Sequence, residues 1–139
     1  MTPRRVLVSV ASAQLAAQLT GLAVAVRRRR FYDVGFMRGS AETIAKDAVF
    51  SGTAYSAPVS MLATELWAVR RLARRPDDLA RRTLGLLGVL NVAGYLSERS
   101  GRAHLRPGGW DAVETPLVAV SVCLAAAMGV LGHRARSGD

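Results

Sequence analysis

Apolar residues occur along the chain in four runs, with arginines concentrated between them. The first run, residues 6–26, has no charged side chain in 21 positions, and the tetrad Arg27–Arg30 follows it. As a helix this run would be about 31 Å long, close to the thickness of a bilayer's hydrocarbon core. The other runs cover residues 48–69, 79–97 and 110–132. The pattern therefore predicts four transmembrane helices.

The second and third runs are less regular than the first and fourth. Pro58 cannot donate a hydrogen bond, so we expect the second helix to be kinked beside Tyr55. Glu65 lies inside that run, near its end. The third run reaches membrane length only if Arg81 and Arg82 extend their charged groups to the headgroups.

Two other interpretations of the apolar runs fit the sequence less well. A soluble four-helix bundle would carry a polar stripe on each helix, and the first and fourth runs have none. A cleaved signal peptide would have a shorter apolar region followed by a small-residue cleavage site, whereas four arginines follow here. We therefore predict an all-α fold, an integral membrane bundle of four transmembrane helices, with residues 1–139 as one domain.

Four spans would divide the connecting segments between two sides of the membrane. Side A holds both termini and residues 70–82, and side B holds residues 27–47 and 98–115. The 19 Lys and Arg residues divide ten to nine between these sides, so the positive-inside rule hardly separates them. We expect side A to be cytoplasmic because residues 70–82 are the most arginine-dense short loop. Only one of the basic residues is a lysine. We interpret this preference for arginine as a sign of GC-rich coding, and we therefore expect a bacterial protein located in the plasma membrane.

The formal charge of +9 has two interpretations, of which membrane binding fits better. Nucleic-acid binding needs a continuous basic face, whereas arginines here mark the ends of apolar runs. Together with aromatic residues they suit the headgroup layer, so membrane lipids are the expected partners and nucleic acid is not. The spacing of Arg38, Glu42 and Lys46 also predicts a short helix before the second span. The predicted headgroup contacts are Arg27, Arg28, Arg29, Arg30, Tyr32, Arg38 and Trp110.

Small residues recur at helical spacing on three runs. Such ridges let helix backbones approach closely in lipid, either inside one chain or between two copies in a homo-oligomer, and the sequence does not separate the two. The ridges are Ala13, Ala17, Gly21 and Ala25 on the first run, Gly85, Gly88 and Gly94 on the third, and Ser121, Ala125 and Gly129 on the fourth.

Polar residues within the runs concentrate in the side-B half. One interpretation makes the acidic ones helix caps or partners of Arg99, Arg102 and Arg106. The other is a pocket between the helices, open to side B, in which carboxylates act as acid or base. Its catalytic candidates are Glu98, Asp111, Glu114 and Asp47. Its substrate-binding candidates are Asn91, Tyr95, Tyr55, Ser51, Gln14 and Gln18.

No sequence motif identifies a reaction. Cys123 is alone in an apolar run, and neither histidine has a ligand partner at metal-binding spacing, so we expect no metal and no cofactor. We expect a small membrane protein that serves as a binding, accessory or oligomer-forming subunit. One alternative is a cofactor-free enzyme acting on a lipid-like or isoprenoid substrate. Another is a small transporter whose path is lined by Gln14, Gln18, Glu65 and Asn91.

Overall fold

The computed structural model of the chain describes residues 1–34, 37–40 and 42–134 and is mostly helical. The predicted all-α class is therefore confirmed. In chain order the elements are α1 (Pro3–Arg28), β1 (Asp33–Val34), β2 (Met37–Arg38), α2 (Ile44–Phe50), α3 (Val59–Arg74), α4 (Asp78–Ser97), α5 (Arg99–His104) and α6 (Glu114–Arg134).

The long helices begin and end at residues with recognisable capping chemistry. The Thr2 hydroxyl accepts from the Arg5 N–H, and Pro3 occupies the first turn, where its missing N–H costs nothing. Arg29 ends α1 in the left-handed conformation at φ 53°. The Asp77 carboxylate caps α4 by accepting from the Ala80 N–H at 2.9 Å.

The second apolar run is not one kinked helix. Helix α2 ends at Phe50 and α3 begins at Val59, so residues 51–58 form a non-helical segment, which we call the α2–α3 linker. Gly52 adopts φ 83°, a conformation that favours glycine, and Pro58 precedes the first turn of α3. Our expectation of a continuous span over 48–69 was wrong because the glycine and the proline together break the helix.

The segment before α2 also differs from the expectation. Arg38 lies in a short antiparallel ribbon, in which it pairs with Asp33, and not in a helix with Lys46. The ribbon is anchored by a bridge between Val34 and Glu98, at the end of α4. Helix spacing alone could not reveal this anchor because it joins residues far apart in sequence.

The four long helices contact one another in a closed order: α1 with α3, α3 with α4, α4 with α6, and α6 with α1. Each neighbouring pair is antiparallel. Arg28 at the end of α1 meets Glu114 at the start of α6, and Arg4 at the start of α1 donates to the carbonyl of Leu72 near the end of α3. Both helix ends assigned to side A from the sequence, near Arg4 and Leu72, therefore lie together.

Glycines allow α4 and α6 to approach each other closely. A Cβ on Gly88 would collide with the backbone at Ala125 and Gly129, and one on Gly132 would collide with Gly85. These parts of the small-residue ridges therefore pack inside the chain. Gly94 differs, because a Cβ there would meet no atom within 4 Å.

Apolar side chains form two clusters at different depths. The larger includes Leu7, Leu72, Leu84 and Met128 and fills the side-A half between the helices. The smaller surrounds Tyr55 and includes Ala25 and Val118 in the side-B half. Buried polar side chains lie between and beside these clusters.

Within the described residues, α1 and α6 are the two helices long and apolar enough to cross a membrane. Helix α3 has only 16 residues, fewer than a bilayer core requires. Helix α4 has 20 residues, but its first turns carry Asp78, Arg81 and Arg82.

Candidate functional site

The α2–α3 linker brings non-helical backbone into the interior. Residues 52–56 are buried, and Tyr55 is completely enclosed. Buried backbone N–H and C=O groups need partners, so a buried loop is costly unless neighbouring groups supply them. The hydrogen bonds that other residues form with this linker therefore determine the geometry of the site.

Two of the side chains predicted to bind substrate, Gln18 and Tyr95, hold the linker. The side-chain carbonyl of Gln18 accepts from the Ala57 N–H at 3.1 Å, while its amide donates to Glu65 at 2.7 Å. The Tyr95 hydroxyl donates to the carbonyl of Tyr55 at 3.3 Å. Thr53 and Ser56 close a tight turn with each other, with the Thr53 N–H 3.0 Å from the Ser56 carbonyl oxygen.

A cavity of about 140 Å³ lies between the linker, α3, α4 and the β1 segment. We call it the side-B cavity. Four predicted site residues line it: Ser51, Asn91, Tyr95 and Glu98. The other lining residues are Tyr32, Val34, Thr53, Ala54, Ser56, Ala57, Pro58, Met61, Leu90 and Gly94.

Glu98 is the charged residue of the cavity wall and is 5% exposed. Its carboxylate accepts from the backbone N–H of Asp33 at 2.9 and 3.1 Å, and from that of Ser100 at 3.3 Å. Burial raises the pKa of this carboxyl, and the hydrogen bonds from Asp33 and Ser100 oppose that rise. Glu98 thus both caps α5 and faces the cavity.

Glu114 lies outside the cavity, at the centre of a buried ion-pair cluster. Its Oε1 accepts from Arg28 at 3.0 Å and from Arg30 at 3.2 Å. Its Oε2 accepts from the Tyr55 hydroxyl at 2.6 Å and lies 2.5 Å from His104 Nε2. Three donors, Arg28, Arg30 and Tyr55, occupy this carboxylate, so the cluster links the end of α1, the α2–α3 linker and α6.

Asp111 belongs to the same cluster but is partly exposed. Its Oδ1 accepts from the backbone N–H of Glu114 at 2.8 Å and of Val113 at 2.9 Å, and Arg28 binds it at 3.1 Å. These hydrogen bonds, with that from Glu114 the strongest influence, lower the pKa of Asp111 to about 2.

Acidic residues form ion pairs with arginines, as one interpretation of the sequence predicted, but the arginines are different ones. Arg28 and Arg30 neutralise the acidic residues at the start of α6, whereas Arg99 lies 3.9 Å from Asp33. Arg28 and Arg30 were predicted to contact headgroups, and their guanidinium groups instead bind carboxylates. The sequence could not indicate this because the partners are more than 80 residues apart.

The remaining predicted residues are spread around the molecule. Asp47 accepts from the Thr43 hydroxyl at 2.7 Å and does not line the cavity. Arg27 and Arg29 are exposed, Arg38 lies over the Phe31 ring at 5.0 Å, and Trp110 is 72% exposed.

A second group of polar side chains lies deeper between the helices. Gln14 is fully buried, and neither of its side-chain polar atoms has a hydrogen-bond partner among the described residues. The same holds for Ser121 Oγ, Glu65 Oε1 and Asn91 Nδ2. The Tyr95 hydroxyl is close enough to Gln14 and Ser121 to interact with them, although no hydrogen bond of normal geometry forms. Polar groups thus continue from the cavity wall to mid-depth.

Sequence reasoning missed Thr53 and Ser56 and assigned Tyr32 only to the headgroup layer. The Ser51–Gly52 pair and Pro58 are turn signals that could have indicated a break and hence a loop lining. Nothing in the sequence indicated that Tyr32 reaches the cavity, since the β1 segment is placed there by Glu98.

Among the described residues, no group of three His, Cys, Asp or Glu side chains could hold a metal ion. Comparisons with protein-family models, curated proteins and solved structures found no match. The function is therefore argued from the geometry of the site.

Proposed function

We propose that the chain is an integral membrane protein whose four-helix bundle crosses the bilayer. In this arrangement α1, α4 and α6 each cross it, and the 16-residue α3 does so together with the buried α2–α3 linker. The protein binds a small amphiphilic molecule in the side-B cavity. The observation that carries this proposal is the α2–α3 linker. Non-helical backbone is tolerated at membrane depth where it is buried in protein or lines a polar cavity, and this linker does both.

The cavity wall favours a headgroup that is neutral or positively charged. Among the residues that the structure describes, no arginine, lysine or histidine lines it, although the chain has 19 Lys and Arg residues. The wall offers hydroxyls, an amide and the Glu98 carboxylate. Such groups accept hydrogen bonds from an alcohol or an amine, whereas a phosphate would lie beside Glu98 without a cation to balance it.

The size of the cavity limits how much of a ligand enters it. A volume of about 140 Å³ is roughly the space of four or five liquid waters. This suits a headgroup and the first few carbons of a chain. Met61 and Leu90 supply apolar wall for those carbons, and the rest of the molecule would stay in the lipid.

The test compares dodecanol, dodecylamine and dodecyl phosphate as probes of the protein in nanodiscs, with saturable thermal stabilisation as the readout. The alcohol and the amine should stabilise the protein, and the phosphate should not. Gly94→Leu should abolish the stabilisation because the new side chain points into open space at the cavity wall. The adjacent Ala93→Leu, an exposed position, is the matched control and should bind normally. Equal binding by both variants would refute the cavity as the site.

An acid–base enzyme is the second candidate, favoured by the burial of Glu98 at the cavity wall. A carboxyl with a raised pKa is suited to proton transfer to a bound lipid-like substrate. Glu98→Gln should then change the lipid profile of the expressing cells without lowering the yield of folded protein. If the profile of Glu98→Gln cells matches that of wild-type cells, a binding role without chemistry is favoured.

A transporter is supported least. Its path would need polar lining through the whole depth of the bundle, and the deep polar groups at Gln14 and Glu65 extend only part of the way. The apolar cluster around Leu7, Leu72 and Leu84 fills the side-A half.

A further inference from the structure

The last turns of α3 form a second, independent surface at side A. Residues on one face of this helix recur at steps of three and four, so apolar and basic side chains align along it. They border a groove of about 600 Å³. From bilayer to water the groove is lined by Ala63, Leu66, Trp67, Arg70, Arg71 and Arg74, with Arg75 at the helix end.

Two arginines in this groove, Arg70 and Arg74, have no acidic partner among the described residues. Both are exposed and form no ion pair with any residue that the structure describes. Arg71 donates to Asp77 at 2.5 Å, and its guanidinium lies 5.4 Å from the centre of the Trp67 ring.

The order of side chains matches the order of groups in a phospholipid. The helix rises about 1.5 Å per residue, so Ala63 and Arg74 are about 16 Å apart along it. An acyl chain can lie along Leu66 and Trp67 while the phosphate lies among the arginines. Guanidinium groups bind phosphate oxygens through paired hydrogen bonds, and a basic pocket at a membrane surface is a recognised site for anionic headgroups.

We propose that this arginine–tryptophan groove binds an anionic phospholipid. A zwitterionic lipid fits less well, because none of the described lining residues is acidic and able to bind its ammonium group, and Trp67 already faces Arg71. The inference rests on the membrane location proposed above, but not on the side-B cavity.

The experiment uses Trp67 as its own reporter. In a Trp110→Phe background Trp67 is the sole tryptophan, and lipids brominated on the acyl chain quench it on contact. Brominated phosphatidylglycerol in phosphatidylcholine vesicles should quench more strongly than brominated phosphatidylcholine. Arg70→Gln with Arg74→Gln should weaken the preference about thirtyfold, since each arginine near an anionic surface contributes about 1 kcal/mol.

Arg102→Gln with Arg106→Gln is the matched control, because it removes the same charge from exposed positions on side B. This variant should keep the preference. The proposal is overturned if both double variants lose the preference equally, if neither does, or if inorganic phosphate alone removes it. Failure of the protein to float with vesicles of either composition would instead overturn the membrane location.

Discussion

At the scale of single residues, the Glu114 carboxylate shows how a buried charge is made tolerable. It is fully buried, and removing such a group from water is costly unless its lone pairs find donors. Arg28, Arg30 and Tyr55 supply those donors from separate parts of the chain, and His104 lies beside the carboxylate. We interpret Glu114 as a structural link between helices, because all its accepting positions point at protein groups.

Replacing Glu114 with glutamine should therefore lower stability. The amide keeps one acceptor oxygen where the carboxylate has two, so either the two arginines at Oε1 or the buried tyrosine at Oε2 would lose their acceptor. Because the arginines are partly exposed, we expect a loss of about 2 kcal/mol, below the range for a fully buried pair. Thermal unfolding in nanodiscs measures it, and the exposed Glu42→Gln is the control, expected within about 0.5 kcal/mol of wild type. Equal melting temperatures for the two variants would contradict the structural role.

The low pKa of Asp111 predicts an acid-dependent loss of stability. Its pKa falls from 3.8 to about 2 in the folded chain, so folding favours the ionised form. The stabilisation is present above pH 3.8 and is lost as the pH falls towards 2. Asp111→Asn should melt at a lower temperature than wild type at neutral pH, and the difference should shrink across this interval. A difference that stays constant from pH 7 to 2 would exclude this titration.

At the scale of elements, the break between α2 and α3 depends on side chains from other helices. Gln18 and Tyr95 satisfy backbone groups of the linker that a continuous helix would satisfy internally. Pro58 and Gly52 explain why the helix stops, but those distant partners explain why the linker can be buried. This is why the sequence predicted a kink and the fold has a loop.

The α4–α6 interface gives the sharpest test at this scale. Gly88→Ala places a methyl group against the backbone of α6, so the helices must separate, and we expect a loss of at least about 2 kcal/mol. Gly94→Ala, on the same helix, meets nothing and should be neutral or stabilising by up to about 1 kcal/mol. Chemical or thermal unfolding compares the two directly. Comparable effects would mean that the close approach at Gly88 is not required.

At the scale of the whole molecule, ion pairs compensate only part of the arginine charge at each end of the helices. Among the described residues, Arg70 and Arg74 have no acidic partner at side A, and Arg102 and Arg106 have none at side B. Counting basic residues in the sequence gave a near tie, and the ion pairs leave that tie in place. The cytoplasmic location of side A therefore stays a prediction from the arginine density of residues 70–82.

Cysteine labelling tests this arrangement of the whole chain. In a Cys123→Ala background, Pro76→Cys lies between α3 and α4 and Arg106→Cys lies near the start of α6; both positions are exposed. An impermeant maleimide added to intact cells should label Arg106→Cys and leave Pro76→Cys unlabelled until the cells are opened. Labelling of both in intact cells would exclude the four-span arrangement, and the reverse pattern would invert the proposed orientation.

The sequence predicted part of the candidate site because helical spacing is a local property. Asn91, Tyr95 and Glu98 follow one another at steps of four and three residues, which places them on one face of a helix, and all three line the side-B cavity. Glu114 was grouped with them by depth alone, yet it lies outside that cavity, because depth does not determine which neighbour a side chain faces. Tyr32 reaches the cavity through a ribbon that no spacing rule describes.

The sequence by itself determined that the chain is helical and where α1, α4 and α6 lie. The order of apolar runs, arginines and capping residues was sufficient, because helix formation and helix ends depend on neighbours within a few residues. The tertiary structure decided the burial of the α2–α3 linker, the arginine partners of Glu114 and the division of polar residues between a cavity and an ion-pair cluster. Each of these depends on contacts between residues 40 to 90 positions apart, and such contacts exist only once the helices have packed.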